Sequence, residues 1–206
     1  ILVVQAGLVL FFGLQWGIEQ QTVAQALILA FIVAAVVEES FKFGVLRLYS
    51  ARHDAFDEPF DGIVYGVAAS LGFALVENVM YVVGSMVEGG FAGGAVVAVL
   101  RSLSAVPMHA SCGVIMGACI GLSHFSKGVW WTVFGVILAV VIHGAYDSLL
   151  MTAVVPDITA LEDGGVSGLL CLGAFATVLF VLGIAGVVVA IFRRKQLASM
   201  SEIETV

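Results

Sequence analysis

Glu38 and Glu39 stand side by side in an apolar stretch long enough to span a bilayer, and Lys42 follows one helical turn later. A charge at the bilayer centre costs roughly 2.5–3.5 kcal/mol on insertion scales, so residues of this kind are kept for use. Three further apolar stretches carry matching groups. Phe73, Glu77 and Asn78 form F-A-L-V-E-N, Arg101 and His109 bracket Pro107, and His143 and Asp147 form H-G-A-Y-D. A buried carboxylate next to a lysine suits a general base that deprotonates water for attack on a carbonyl. His143 or Asn78 could donate to the developing oxyanion, with Asp147 orienting His143. The sequence holds no G-x-S-x-G turn and no H-E-x-x-H, so the familiar serine and zincin arrangements are missing. Ser40 is a conceivable nucleophile, with helix packing the favoured role.

The same groups also suit a metal. Glu77, His109, His143 and Asp147 are hard or borderline N/O ligands, adequate for a catalytic Zn²⁺ with an open position, and Glu38 would then activate the bound water. A His and an Asp at i and i+4 serve equally as two ligands or as an orienting pair. Spacing leaves both open.

The elements that must position these residues follow from composition. Of 206 residues, 61% are hydrophobic and 11% charged, with a mean hydropathy of +1.13. The sequence therefore reads as an all-α polytopic membrane protein lying in the lipid bilayer. Apolar windows predict about six transmembrane helices in one bundle, at about 1–17, 22–48, 61–87, 93–124, 128–155 and 166–192, each near or above the ~20 residues that cross ~30 Å of hydrocarbon. The connections are short and no linker separates two units, so residues 1–206 are expected to form one domain with its motifs between 35 and 150. Glu38, Glu77, His109 and His143 fall near the middle of their spans, where one cavity can collect them. Glu38 and Lys42, four apart, are expected to pair on one face, with Glu39 turned about 100° toward a neighbouring helix. Pro107 should kink its helix and free a carbonyl. Gly62/Gly66 and Gly113/Gly117/Gly121 read as faces for close helix packing.

Arg47, Arg52, Lys127, Arg193, Arg194 and Lys195 fall on one side if every span crosses once, and Glu19, Glu88, Asp157, Glu162 and Asp163 on the other. The cationic side is expected to be cytoplasmic, with both chain ends there and the protein multi-pass in the cell membrane. A net charge of −7 argues against nucleic acid as a partner. Cys112, Cys119 and Cys171 lie in apolar stretches and fit small buried hydrophobes better than a disulfide framework. The chain opens on Ile1, inside an apolar run rather than on Met, so upstream residues are expected.

E-E-x-x-K at Glu38, Glu39 and Lys42, F-x-x-x-E-N at Phe73, Glu77 and Asn78, and H-x-x-x-D at His143 and Asp147, in that order on successive spans, resemble the PrsW family of intramembrane proteases. That family belongs with CAAX-prenyl endopeptidases and bacteriocin-processing proteases. The resemblance implies a membrane peptidase that cuts a membrane-anchored protein substrate, typically an anti-sigma factor at the first step of regulated proteolysis. It assigns water activation to Glu38 and Glu39, a partner role to Glu77, and the carbonyl end to His143 and Asp147; Lys42, Asn78, Arg101 and His109 are read from the residues themselves as supporting groups. Where CAAX endopeptidases carry a histidine and an asparagine, this chain has Glu77 and Asp147, and the added carboxylates strengthen the metal reading. Two other classes compete. Buried carboxylates with Lys and His also build proton- or cation-coupled transporters, although no internal repeat is visible. A catalytically silent membrane scaffold would use the same groups as helix-to-helix contacts.

Overall fold

The computed structural model describes residues 2–11, 22–126, 128–161 and 165–204. Every regular element among them is a helix. Helix α1 is Leu2–Phe11. Helix α2, Val23–Arg52, starts where Thr22 and Gln25 cap one another: the Thr22 hydroxyl accepts from the Gln25 N–H at 3.3 Å, and the Gln25 side chain accepts from the Thr22 N–H at 3.0 Å. Its winding is uneven. Leu29–Val36 and Val45–Tyr49 take the wider π form on either side of α-helical Val37–Gly44, which carries E-E-x-x-K. Such insertions re-aim side chains and concentrate at functional sites.

Pro59 opens the next helix at a position whose N–H has no helical partner to lose, and Glu58 and Asp61 cap it. This helix runs over Pro59–Leu103 but reverses at Gly90, whose φ of 65° and ψ of −168° only glycine adopts readily. Its arms are α3 (59–89) and α4 (91–103), and α5 is Ala105–Ser126. Neighbours mirror one another about Gly90: Gly93 lies on Ser85, Gly113 on Gly66, Gly117 on Gly62 and Gly121 on Pro59. A Cβ on Gly113 would stand 2.6 Å from the Gly66 carbonyl oxygen, so the expected glycine faces meet at backbone contact. The expected spans 61–87 and 93–124 are the two sides of this hairpin. The second side breaks at Ser104 (φ −122°, ψ −64°), next to Leu103, whose carbonyl Pro107 crowds and cannot bond.

Helices α6 (Val129–Ala153), α7 (Pro156–Thr159) and α8 (Gly165–Glu204) complete the chain. Helix α5 is the central rod: every residue from Ser111 to Gly121 is buried. Its Met108, Cys112, Ile115 and Met116 pack with Leu46 of α2, Ala139, Ile142 and Tyr146 of α6, and Val178 of α8. The outer faces are apolar, with Leu75, Val76, Trp130 and Phe180 exposed, as a lipid-covered bundle requires. Four segments are long and apolar enough to cross a membrane: Val23–Arg52, Pro59–Ser126, Val129–Ala153 and Gly165–Ala198, the second being the hairpin. Much of the expected first span and its connection, with Glu19, lies outside the described residues, as do Lys127, Glu162 and Asp163. Glu58 at the head of α3 hydrogen-bonds Gln196 near the end of α8, so the Arg52 and Arg193–Lys195 clusters share one end of the bundle. Cys112 and Cys119 are buried as expected, whereas Cys171 is exposed on the outer side of α8; all three are free thiols. An apolar stretch on a lipid-facing helix does not imply burial in protein.

Candidate active site

Glu39 is the hub. Its side chain is wholly inaccessible, and its Oε1 accepts from Lys42 Nζ at 2.5 Å and faces His143 Nδ1 at 2.8 Å. Lys42 Nζ also lies 2.8 Å from His109 Nδ1. An ammonium only donates, so His109 Nδ1 is the acceptor and its ring proton sits on Nε2, 3.0 Å from Glu77 Oε2. That oxygen accepts a second, charge-assisted bond from Arg101 Nη2 at 2.8 Å. Arg101 Nε donates to Asn78 Oδ1 at 2.5 Å, and its guanidinium lies 4.0 Å above the Tyr81 ring. On the other side His143 Nε2 faces Asp147 Oδ2 at 3.2 Å and Glu38 Oε2 at 3.7 Å. The two imidazoles meet edge to face, 5.0 Å between centroids, and Phe73 lies 4.7 Å from Lys42 Nζ.

The nine residues singled out in the sequence thus come together in one network fed by α2, α3, α4, α5 and α6. One pairing differs from expectation. Lys42 is 4.0 Å from Glu38 but 2.5 Å from Glu39. Both spacings are compatible with one helix face; the choice goes with His109, which holds Lys42 at 2.8 Å, and His143, which holds Glu39 at 2.8 Å. Glu38 instead accepts from Gln5 of α1 at 3.3 Å. Its Oε2 is buried without a hydrogen-bond partner among the described residues, as is Oε2 of Glu39. Ser40 faces outward and is exposed. Access to the cluster is lopsided: the side chains of Glu77, Arg101 and Asp147 are 14–18% exposed, those of Lys42, His109 and His143 at most 2%.

Three contributors escaped the sequence. Gln5 is the lone polar side chain among residues 1–14, and that isolation was the available signal. Tyr81 sits one turn beyond Glu77, a spacing that looks like lipid-facing surface. Tyr146 donates to Ser104 Oγ at 2.8 Å and clips α6 to the break between α4 and α5.

Carboxylates and imidazoles are donors of the chemical kind that hold a zinc-type cation. Glu77 and His109 lie 3.0 Å apart and His143 and Asp147 3.2 Å apart, the spacings of hydrogen-bonded pairs, so each pair would exchange its shared proton for the ion on binding. Glu38, His109 and His143 offer ligand atoms that all lie within 4.8 Å of one another. Glu39 backs Nδ1 of His143, as carboxylates behind metal-ligating histidines do. His109 is the least suited donor, because Lys42 takes its Nδ1 and its Nε2 proton points at Glu77.

Fold and site together define a helical membrane protein with a buried carboxylate–imidazole cluster. The chain belongs to the PrsW family: the family model described as PrsW family intramembrane metalloprotease matches residues 1–184. Among curated relatives, Protease PrsW of Bacillus subtilis is 36% identical over 151 residues, covering 70% of this chain and 66% of that protein. Protease PrsW of Geobacillus kaustophilus is 40% identical over 126 residues, 59% of this chain and 52% of the relative. Protease PrsW of Halalkalibacterium halodurans is 37% identical over 133 residues, 62% and 57% respectively. The chain spans about half to two thirds of the length of these relatives. No solved structure matches it.

Proposed function

We propose that this chain is a membrane-embedded peptidase that hydrolyses a peptide bond of a membrane-anchored protein with water activated at Glu38. The observation that carries the reading is that Glu38, unlike Glu39, has no hydrogen bond to Lys42 or His143 and turns its buried Oε2, which has no hydrogen-bond partner among the described residues, toward His143 Nε2 at 3.7 Å. A buried carboxylate oxygen not engaged by another side chain is poised to take a proton from an entering water. Glu39 has a different role. Bound to Lys42 and His143 through one oxygen, it fixes both partners in place. His143, held between Glu39 and Asp147, presents Nε2 on the side of Glu38 and is the donor for charge developing on the substrate carbonyl oxygen. Arg101 and His109 clamp Glu77 beside Asn78 at the more open side, where a substrate backbone would enter. If His143 Nε2 and Asp147 instead held Zn²⁺, with His109 and Glu77 as further donors, the ion would take the place of the His143 proton in polarising the carbonyl and would supply a more acidic water.

The family's naming as intramembrane metalloprotease and the curated proteases among its relatives support this reading. An anti-sigma factor anchored by one helix is the proposed substrate class, with the Arg52 and Arg193–Lys195 end of the bundle, and both chain termini, on the cytoplasmic side. The test is co-reconstitution of the chain in nanodiscs with a panel of single-span anti-sigma factors. Cleavage by the wild type and its loss in His143→Gln is the expected result. An intact panel, or equal cleavage by the variant, overturns the reading.

A further inference from the structure

Helix α1 lies outside the stretch of motifs, and its one polar side chain in the apolar run has no role in the chemistry described above. An amide on a membrane helix costs free energy unless it finds a partner, and the half-buried Gln5 finds Glu38: its Nε2 donates to Glu38 Oε1 at 3.3 Å. Among the described residues this is the side-chain hydrogen bond that holds Glu38. Lys42 Nζ at 4.0 Å and His143 Nε2 at 3.7 Å attract the carboxylate but lie beyond hydrogen-bond distance.

The placement is built from both helices. Gln5 and Val9, one turn apart, share a face of α1. Val9 is buried against Val33 of α2, with Leu8, Ile28 and Leu29 packed around the pair. Val33 and Glu38 are five residues apart, and the π winding of Leu29–Val36, which repeats its hydrogen bonds every five residues, turns them toward one side of α2. The face that seats Val9 therefore also delivers Glu38 to Gln5.

We propose that Gln5 is a positioning residue for Glu38. It anchors one carboxylate oxygen, so the other, Oε2, stays turned toward His143 and the reacting carbonyl. A carboxylate free to rotate about its last bond would present either oxygen, or neither, in the productive direction, and angular error of that kind lowers turnover more than binding. The inference deepens the assignment of Glu38 as base and rests on it.

Two substitutions separate positioning from packing. Gln5→Met keeps the length of the side chain and packs well in an apolar interface but cannot donate; Gln5→Ala removes both properties. In nanodiscs, with a membrane-anchored reporter that the wild type cleaves, both variants should lose about tenfold in kcat with KM within about twofold, since an interaction that acts on the chemical step leaves substrate binding alone. If Gln5 only packs, Met restores full turnover while Ala does not, and that outcome overturns the proposal. An arm independent of cleavage uses dicyclohexylcarbodiimide, which modifies carboxyl groups in apolar surroundings. The labelling rate of Glu38, mapped by peptide mass spectrometry at one fixed pH, should rise about threefold or more in Gln5→Met, because the carboxylate has lost its donor. Equal labelling in wild type and variant overturns the contact. Absence of cleavage by the wild type would sink the assignment of Glu38 as base, while the labelling arm still decides whether Gln5 holds it.

Discussion

Glu38 and Glu39 are adjacent and chemically identical, yet replacing each by Gln should give opposite phenotypes. Glu39 Oε1 holds Lys42 at 2.5 Å and His143 at 2.8 Å, and all three side chains are at most 2% exposed. Glu39→Gln leaves an ammonium and an imidazole facing a neutral amide with no water to replace the lost charge. Breaking one side of such a buried ion pair costs about 3–5 kcal/mol. For a chain of 206 residues that lowers Tm by roughly 6–20 °C. Glu38 has weaker ties, one hydrogen bond at 3.3 Å and charges at 3.7 and 4.0 Å. A glutamine there keeps an oxygen for Gln5, so Glu38→Gln should stay within about 1 kcal/mol of wild type. The assay is thermal unfolding of the purified chain in one detergent, followed by circular dichroism and by accessibility of Cys112 and Cys119, which are buried in the fold. A Glu39→Gln protein that melts with the wild type, or a Glu38→Gln protein that melts far below it, would refute the division of roles.

Three further outcomes follow from the same geometry. Gly117→Leu should prevent closure of the hairpin, because even a Cβ there runs into the Gly62 carbonyl; a loss of more than about 3 kcal/mol, read as loss of monodisperse protein in detergent, is expected against less than about 0.5 kcal/mol for the open position Gly72→Ala. Metal content by elemental analysis should fall further in His143→Gln than in His109→Gln, since His109 already has Lys42 on one ring nitrogen and Glu77 on the other; equal loss would place both histidines on the ion. Outside the membrane, burial and the neighbouring Asp61 and Asp57 raise the Glu58 pKa above its ordinary value. A group whose folded pKa is raised loses stabilisation as pH rises through it, so stability should drop slightly with rising pH just above the normal carboxylate range, and Glu58→Gln should flatten that slope in a pH series of unfolding midpoints.

Much of the site was legible because charge in hydrocarbon is expensive. Glu38, Glu39, Lys42, Glu77, Arg101, His109, His143 and Asp147 stand out against apolar runs without any knowledge of the fold, and the mid-span position of Glu38, Glu77, His109 and His143 already places those four at similar depth. The two sides of the hairpin were legible as the spans 61–87 and 93–124 with a glycine face on each. The partner of Lys42 was not, since i+3 and i+4 share a face and the decision is made by His109, 67 residues away. Nor was the role of Gln5: one amide in an apolar run carries little signal until α1 is laid against the π-wound part of α2. Cys171 shows the converse limit, because in a membrane protein hydropathy marks contact with lipid as readily as contact with protein.

The most direct measurement is the single-turnover rate at which the purified chain in nanodiscs cuts a membrane-anchored substrate, wild type against Glu38→Gln at equal folded fraction. Loss of the base should slow peptide-bond hydrolysis by about 10²–10⁴-fold with substrate binding retained. Cleavage by Glu38→Gln at the wild-type rate would contradict the assignment of water activation to Glu38.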